Sequence, residues 1–282
     1  MITPALQDDA FLADVAAASA RPDAFSLWWL GQSGFLVKWA ARHLLIDPYL
    51  SDSLTRKYAA TDKPHVPLGR RVVDPARLDF IDVVTSSHNH TDHLDADTLL
   101  PLLAARPQLT LIAPEANRAF VAQRLGIPPG RLTGVVAHQP VAVTDWLTVT
   151  GIPAAHNALD TDARGHHLYL GYVFHFGPFS LYHSGDTLLN EHLPRVRADL
   201  ALLPINGDRP ERRVAGNLTG REAAQLAKSI GAKLVIPCHY DMFAFNTAHP
   251  EAEFVPECQR LGQPHRVLRL GERLAWPAEA PQ

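Results

Sequence analysis

The stretch Ser87-His88-Asn89-His90-Thr91-Asp92-His93-Leu94-Asp95 constrains this chain more than any other. It sets three imidazoles and two carboxylates in one loop, directly after the apolar run Phe80-Ile81-Asp82-Val83-Val84. A short β-branched run of that kind predicts a buried strand. The loop therefore leaves a sheet carrying five groups that bind metal when deprotonated. Imidazole nitrogen and carboxylate oxygen suit zinc, manganese or iron. His-x-His-x-Asp-His is too dense for an ordinary polar turn.

A metal centre draws its ligands from several strand ends, so His or Asp just beyond other apolar runs are the candidates. Three places qualify. Val149–Ala155 delivers His156, Phe179–Gly185 delivers Asp186, and Leu234–Pro237 delivers His239. A fourth strand end, Ile46-Asp47, offers a carboxylate to orient a ligand His. His183, three residues before Asp186, is a candidate proton donor to a leaving group or a support for a ligand. Asn206 and Asp241 are candidates for the mouth of the same site. Cys238 adjoins His239, but neighbouring strand residues face opposite ways, so it reads as a buried hydrophobe.

The rest of the pattern describes what carries these ends. An N-terminal helical segment (1–23, amphipathic over 3–20) precedes a hairpin over 25–39 and a strand at 43–46. Residues 51–78 have no period and are rich in Arg and Lys. From Phe80 onward strands alternate with helices. Helices are expected at 96–105, 114–125, 219–231 and 250–261. Strands are expected at 109–112, 132–136, 147–153, 168–176, 179–183, 199–205, 233–237 and 265–270. The tail 277–282 is expected to be loose. No linker or low-complexity stretch divides the chain, so 1–282 reads as one α/β domain of two packed sheets flanked by helices.

Composition narrows the setting. A net charge of −3 argues against a broad nucleic-acid or anionic-membrane surface. Two cysteines cannot build a disulfide framework. No apolar run reaches the roughly 18 residues of a membrane span. The N-terminus has no basic leader and carries Asp8, Asp9 and Asp14. The expectation is a cytoplasmic protein acting on a small molecule, with assembly into homo-oligomers left open.

The ordered set His88, His90, Asp92, His93, His156, Asp186 and His239 resembles the ligand signature of the metallo-β-lactamase superfamily. Trp28-Trp29-Leu30-Gly31-x-x-Gly34, Leu181–Asp186 and Val235-Ile236-Pro237-x-His239-x-Asp241 are similar to its L-ascorbate-6-phosphate lactonase-like branch. The likeness spans roughly residues 24–276. It departs at His156, where the lactonase has a carboxylate and the wider superfamily a His. The resemblance implies an αββα sandwich and a hydrolytic site with one or two divalent metal ions, zinc or manganese. It also implies that His88, His90 and His156 hold one ion, that Asp92, His93 and His239 hold the other, and that Asp186 bridges them.

Such a centre lowers the pKa of bound water from 15.7 to about 7, giving a hydroxide that attacks a small ester, lactone or phosphorylated metabolite. Asp92 then has two tasks, as a ligand and in orienting the nucleophile or taking its proton. The basic stretch 51–78 and Arg209–Arg213 could meet a substrate phosphate. A phosphodiesterase or nuclease is the second reading, which the acidic balance disfavours. A non-catalytic metal-binding regulator is the third, and seven candidate ligands with no Cys among them argue for an open, catalytic site instead.

Overall fold

Buried apolar strands ending at Asp, Gly or Pro set the order of elements. The computed structural model describes residues 1–214 and 216–277. In chain order these form α1 (Asp8–Ala17), β1 (Phe25–Gly31), β2 (Gly34–Trp39), β3 (Arg42–Ile46), α2 (Ser53–Tyr58), β4 (Val83–Thr85), α3 (Ala96–Ala105), β5 (Thr110–Pro114), α4 (Arg118–Leu125) and β6 (Leu132–Val135). Then come β7 (Pro140–Ala142), β8 (Thr148–Pro153), β9 (Leu170–Phe176), β10 (Phe179–His183), β11 (Leu200–Pro204), α5 (Gly220–Ser229), β12 (Leu234–Cys238), α6 (Phe254–Leu261) and β13 (Arg273–Trp276).

The strands make two mixed sheets, ordered β13-β1-β2-β3-β4-β5-β6 and β12-β11-β10-β9-β8-β7. One continuous apolar core joins them. Phe25 of β1 meets Phe176 and Phe179 of the other sheet edge-on, at 5.3 and 5.0 Å. Helix α4 packs on β5 and β6, and α5 on β11 and β12, which completes an αββα sandwich. Thr219 and Glu222 close a capping box on α5, satisfying two amide donors that a helix start leaves unpaired.

Strand direction is what brings the candidate residues together. β3 and β4 are parallel, so Asp47 and Ser86-Ser87 emerge side by side. β8 and β10 are both antiparallel to β9, and β10, β11 and β12 are parallel. The carboxyl ends of β8, β10 and β12 therefore share one edge, and ligands collect at such edges.

Several expectations need correction. The first helix covers only Asp8–Ala17, because residues 2–5 extend along the 68–70 segment and Leu270 instead. The aperiodic stretch holds the one-and-a-half-turn α2. No strand forms at 265–270. Its alternation reflects burial of Leu268 and Leu270, while the segment crosses from Val235 of one sheet to Trp29 of the other. The edge strand is β13, antiparallel to β1. The short β7 was not anticipated, since Pro140-Val141-Ala142 has too little pattern to signal a strand. Apart from Pro277, the tail lies outside the described residues.

The N-terminal segment is anchored by an unusual buried lysine. Lys38 of β2 is 7% exposed, and its Nζ donates to the carbonyls of Val15, Ala16 and Ala18 at 2.8, 3.2 and 2.8 Å. It thus satisfies the last turn of α1 with a cation where the helix dipole favours one. Lys38→Met should strand those carbonyls and cost about 1–3 kcal/mol. A melting point lower by several degrees and faster proteolysis before residue 24 are expected; an unchanged melt and digestion would refute this role.

Candidate metal centre

Each strand end supplies part of one cluster. After β4 the chain is pinned from the opposite sheet. Tyr172 Oη donates to Ser86 O at 2.9 Å, and Leu170 N–H to Ser87 O at 3.1 Å. A tight turn follows, with Leu94 N–H bonded to His90 O at 2.8 Å, and it aims His90, Asp92 and His93 inward. Gly185, with φ of +59°, lets the loop after β10 approach; a Cβ there would lie 2.9 Å from Ser87 Cβ and from Leu170 O.

The candidate ligands converge in two groups, His88 with His90 and His156, and Asp92 with His93, Asp186 and His239. Within each group the ligand atoms lie within 4.8 Å of one another. Asp186 faces both. Its Oδ1 is 2.7 Å from His239 Nε2 and 3.2 Å from His93 Nε2, and its Oδ2 is 3.5 Å from His156 Nε2. His90 Nδ1 and His156 Nε2 approach to 3.1 Å.

The residues fit a divalent ion. His88 Nε2 is buried without a hydrogen-bond partner, and His93 Nε2 and Asp186 Oδ1 lie close together without a well-aligned hydrogen bond; buried polar atoms are rarely left so. The nitrogens turned away from the centre are held instead. His93 Nδ1 is 2.8 Å from Asp47 Oδ2, His156 Nδ1 2.9 Å from Gly216 O, and His88 Nδ1 3.0 Å from Ser87 Oγ. Such outer contacts fix the tautomer and aim of a metal-binding ring.

Charge is balanced on the same plan. Burial works against the Asp186 carboxylate, but the His239 and His93 rings outweigh it and hold it well below the usual range. Burial likewise opposes the charge on Asp47, yet the His93 hydrogen bond keeps it ionised. Burial also disfavours a charged His93, but Asp186 and Asp92 raise it well above an ordinary imidazole. For His88, burial and then the His93 charge push the ring well below that value.

With this geometry in hand, sequence comparison decides the family. Residues 42–240 match the family described as "Beta-lactamase superfamily domain". A UPF0173 metal-dependent hydrolase of Opitutus terrae is 31% identical over 260 residues, covering 88% of this chain and 98% of the relative. The chain belongs to the beta-lactamase superfamily, among its UPF0173 metal-dependent hydrolases. A probable L-ascorbate-6-phosphate lactonase of Salmonella choleraesuis is 22% identical over 303 residues, covering 94% of this chain and 85% of the lactonase. The isothiocyanate hydrolase from Delia radicum gut bacteria shares the fold, with a TM-score of 0.69 at 19% identity over 90% of this chain and all of that one.

Several predicted residues of this superfamily member have other places than expected. His183 is fully buried behind the centre. Gly185 N–H donates to its Nδ1 at 3.2 Å, and its Nε2 lies 3.1 Å from Ser33 O, so neither nitrogen is free to serve a leaving group. It braces the Ser33 turn. Asn206 and Asp241 do not border the cavity above the ligands. Asn206 lies behind Asn246, donating to its Oδ1 at 3.0 Å. Asp241 is half-buried below, with its amide on Thr247 Oγ1. Cys238 is buried and free, as a hydrophobe should be.

Half of the six Lys and Arg of the basic stretch are neutralised by carboxylates. Arg56 pairs with Asp52 and Asp97, Arg71 with Asp74, and Arg77 with Asp9. Of its Arg and Lys side chains only Lys57 borders the cavity. Arg212 and Arg213 are spent on Asn246 and Asp62.

The β1–β2 turn also reaches the centre, through residues with little local signal. Gln32 Nε2 donates to Asp92 Oδ2 at 2.9 Å, and Ser33 Oγ sits 2.6 Å from His239 Nε2. Gln32, Asp47 and His239 all hold positive φ, of 48°, 40° and 61°, a strain of about 1–3 kcal/mol each that clusters at functional sites. A polar Gln-Ser pair inside a Gly-bracketed turn was the available signal.

Proposed function

We propose that this protein hydrolyses a small ester, lactone or phosphorylated metabolite, using one or two divalent ions, zinc or manganese, in the cluster around Asp186. The observation that carries the reading is Asp186 itself, which faces both ligand groups at the floor of a cavity of about 400 Å³. A divalent ion supplies there the Lewis acidity that brings the pKa of water toward about 7 and polarises a substrate oxygen.

The chain's own groups do the rest. Asp92, held by Gln32, borders the cavity and takes a proton from the attacking water. Burial opposes its charge, but His93 keeps the carboxylate below the usual range, so it is ionised and able to accept. Tyr58, Phe243 and Phe245 form an apolar wall opposite, and Asn157, Asn217 and Asn246 offer hydrogen bonds. The lining is mainly polar, and these aromatic side chains supply its apolar surface.

The cavity size favours a metabolite over a nucleic acid. Among the described residues its only Lys and Arg are Lys57 and Arg124, too few to follow a phosphate backbone. The similarity to a lactonase and to an isothiocyanate hydrolase, both named for small substrates, supports the same choice.

Elemental analysis should find one to two transition-metal ions per chain, and a panel of lactones, esters, phosphoesters and nucleotides with zinc or manganese should give turnover on a small substrate. Protein that takes up no metal on reconstitution, or that is inert across the panel, would overturn the reading. Preference for oligonucleotides would select the nuclease alternative.

A further inference from the structure

We propose that His65 is a catalytic residue of this centre, donating its Nε2 proton to the departing oxygen of the substrate. The proposal rests on the hydrolase reading above. His65 lies between α2 and β4, and its ring is fixed on several sides. It stacks on Tyr58 of α2 at 4.2 Å and 17°. Its edges meet Phe243 at 5.0 Å and Phe245 at 4.5 Å. Thr55 Oγ1 donates to its backbone carbonyl at 2.8 Å, tying the residue to α2.

The ring nitrogens have distinct tasks. Nδ1 lies 3.1 Å from the Lys63 carbonyl oxygen. A carbonyl only accepts, so Nδ1 carries a hydrogen and donates it. Among the described residues Nε2 has no hydrogen-bond partner and is left to exchange a proton, in a residue that borders the same cavity as Asp92, Asp186 and His239. An imidazole whose far nitrogen is held by a fixed acceptor is the arrangement that proton-transferring histidines use.

The other proton carriers around the cavity are less suited. The rings of the two ligand groups commit their nitrogens to an ion. Lys57 is exposed at the rim. Burial raises the Tyr169 phenol, making it a poorer acid. Charges facing His65 come from Lys57 on α2, Lys63 on its own loop and Asp92 across the cavity; Tyr58 is the other titratable neighbour, and residues 243–246 bring none. Burial is the largest influence and lowers the imidazole, against the Lys63 carbonyl and Asp92, which favour its charged form. The acid form therefore falls away as pH rises, through a midpoint below the ordinary imidazole value.

The step balances without an added reagent. The oxygen of water bonds to the carbonyl carbon or phosphorus, and the bond from that centre to the leaving oxygen breaks with its electron pair passing to the oxygen. The His65 Nε2 proton joins that oxygen, while Asp92 accepts one proton from the water. Return of the Asp92 proton to His65 through solvent restores both residues.

The test compares zinc-loaded wild type, His65→Gln and Asp92→Ala on ester and phosphodiester probes with either a 4-nitrophenyl or an alkyl leaving group. With alkyl probes His65→Gln should lose about 10²-fold or more in kcat/KM, within the range of general acid catalysis. The 4-nitrophenyl probes, whose phenolate departs without a proton, should lose less than about 10-fold. The wild-type alkyl profile should fall with rising pH on a limb absent from the 4-nitrophenyl profile and from the variant. Imidazole ¹⁵N spectra of the zinc-loaded protein, with His65 assigned by its loss in the variant, should show the Nδ1-protonated tautomer at high pH. Equal losses for both leaving groups, or an Nε2-protonated tautomer, would overturn the proposal while leaving the hydrolase reading intact. Wild type inert on every probe would overturn both. If His65→Gln does not fold, the missing or present leaving-group-dependent limb in the wild type decides.

Discussion

Asp186→Asn should weaken metal binding at both ligand groups together. The carboxylate reaches both, through Oδ1 to His239 and His93 and through Oδ2 to His156. An amide keeps the shape but supplies one neutral oxygen, so the loss should exceed the 10–100-fold typical of removing a mere supporting contact of a metal ligand, by at least about 100-fold overall. Chelator competition with elemental analysis reads this directly. Depletion of one ion with the other retained would show that Asp186 does not join the groups.

The same cluster predicts how metal uptake depends on pH. In the metal-free fold the His93 imidazole is held well above its ordinary value once Asp186 and Asp92 overcome burial, so it carries a proton at neutral pH. Metal must displace it. Calorimetry at pH 7 in buffers of different ionisation heat should therefore register release of about one proton per chain. The sign for stability follows from the same shift. A raised imidazole stabilises the metal-free fold fully below about pH 6.5 and ceases to do so as pH rises through the raised value. Metal-free protein should thus become less stable on going alkaline, and loading should remove that dependence. Metal uptake without proton release would contradict it.

Asp92→Ala should lower turnover by about 10²–10⁴-fold, the span general acid–base groups contribute, with the fold retained. Its carboxylate borders the cavity and, among the described residues, is held by Gln32 Nε2 and the ligand group rather than by the apolar core. Turnover of the best panel substrate, with near-ultraviolet circular dichroism as the fold control, measures both. Unchanged turnover would remove Asp92 from the mechanism.

The contrast between Asp92 and His183 explains what a sequence can convey about such a centre. Both stand at strand ends beside other candidate ligands, and spacing alone gives them similar claims. The structure separates them by direction. Asp92 opens on the cavity, whereas His183 has both nitrogens on backbone partners behind it. The same holds for Asp47, whose value as a partner for His93 depends on β3 and β4 being parallel neighbours. His65 and Gln32 gave almost no local signal, because one sits in an aperiodic stretch and the other in a tight turn.

By itself, the sequence determined the alternation of strands and helices, the seven candidate ligands and their order along the chain. Those features are local: a buried strand needs an apolar run, and a ligand needs a particular side chain just past its end. The family resemblance already implied the two ligand groups and the place of Asp186 between them; only the tertiary structure decided which cations remain beside the cavity and that His65 borders it. These depend on strand direction, side-chain aim and pairing between residues far apart in the chain. The pull of the sequence toward a strand at 265–270 failed for the same reason. Burial set the alternation of apolar residues there, but the segment bonds the β12 edge only at Val235 before it crosses to Trp29, and the β1 edge is taken by β13.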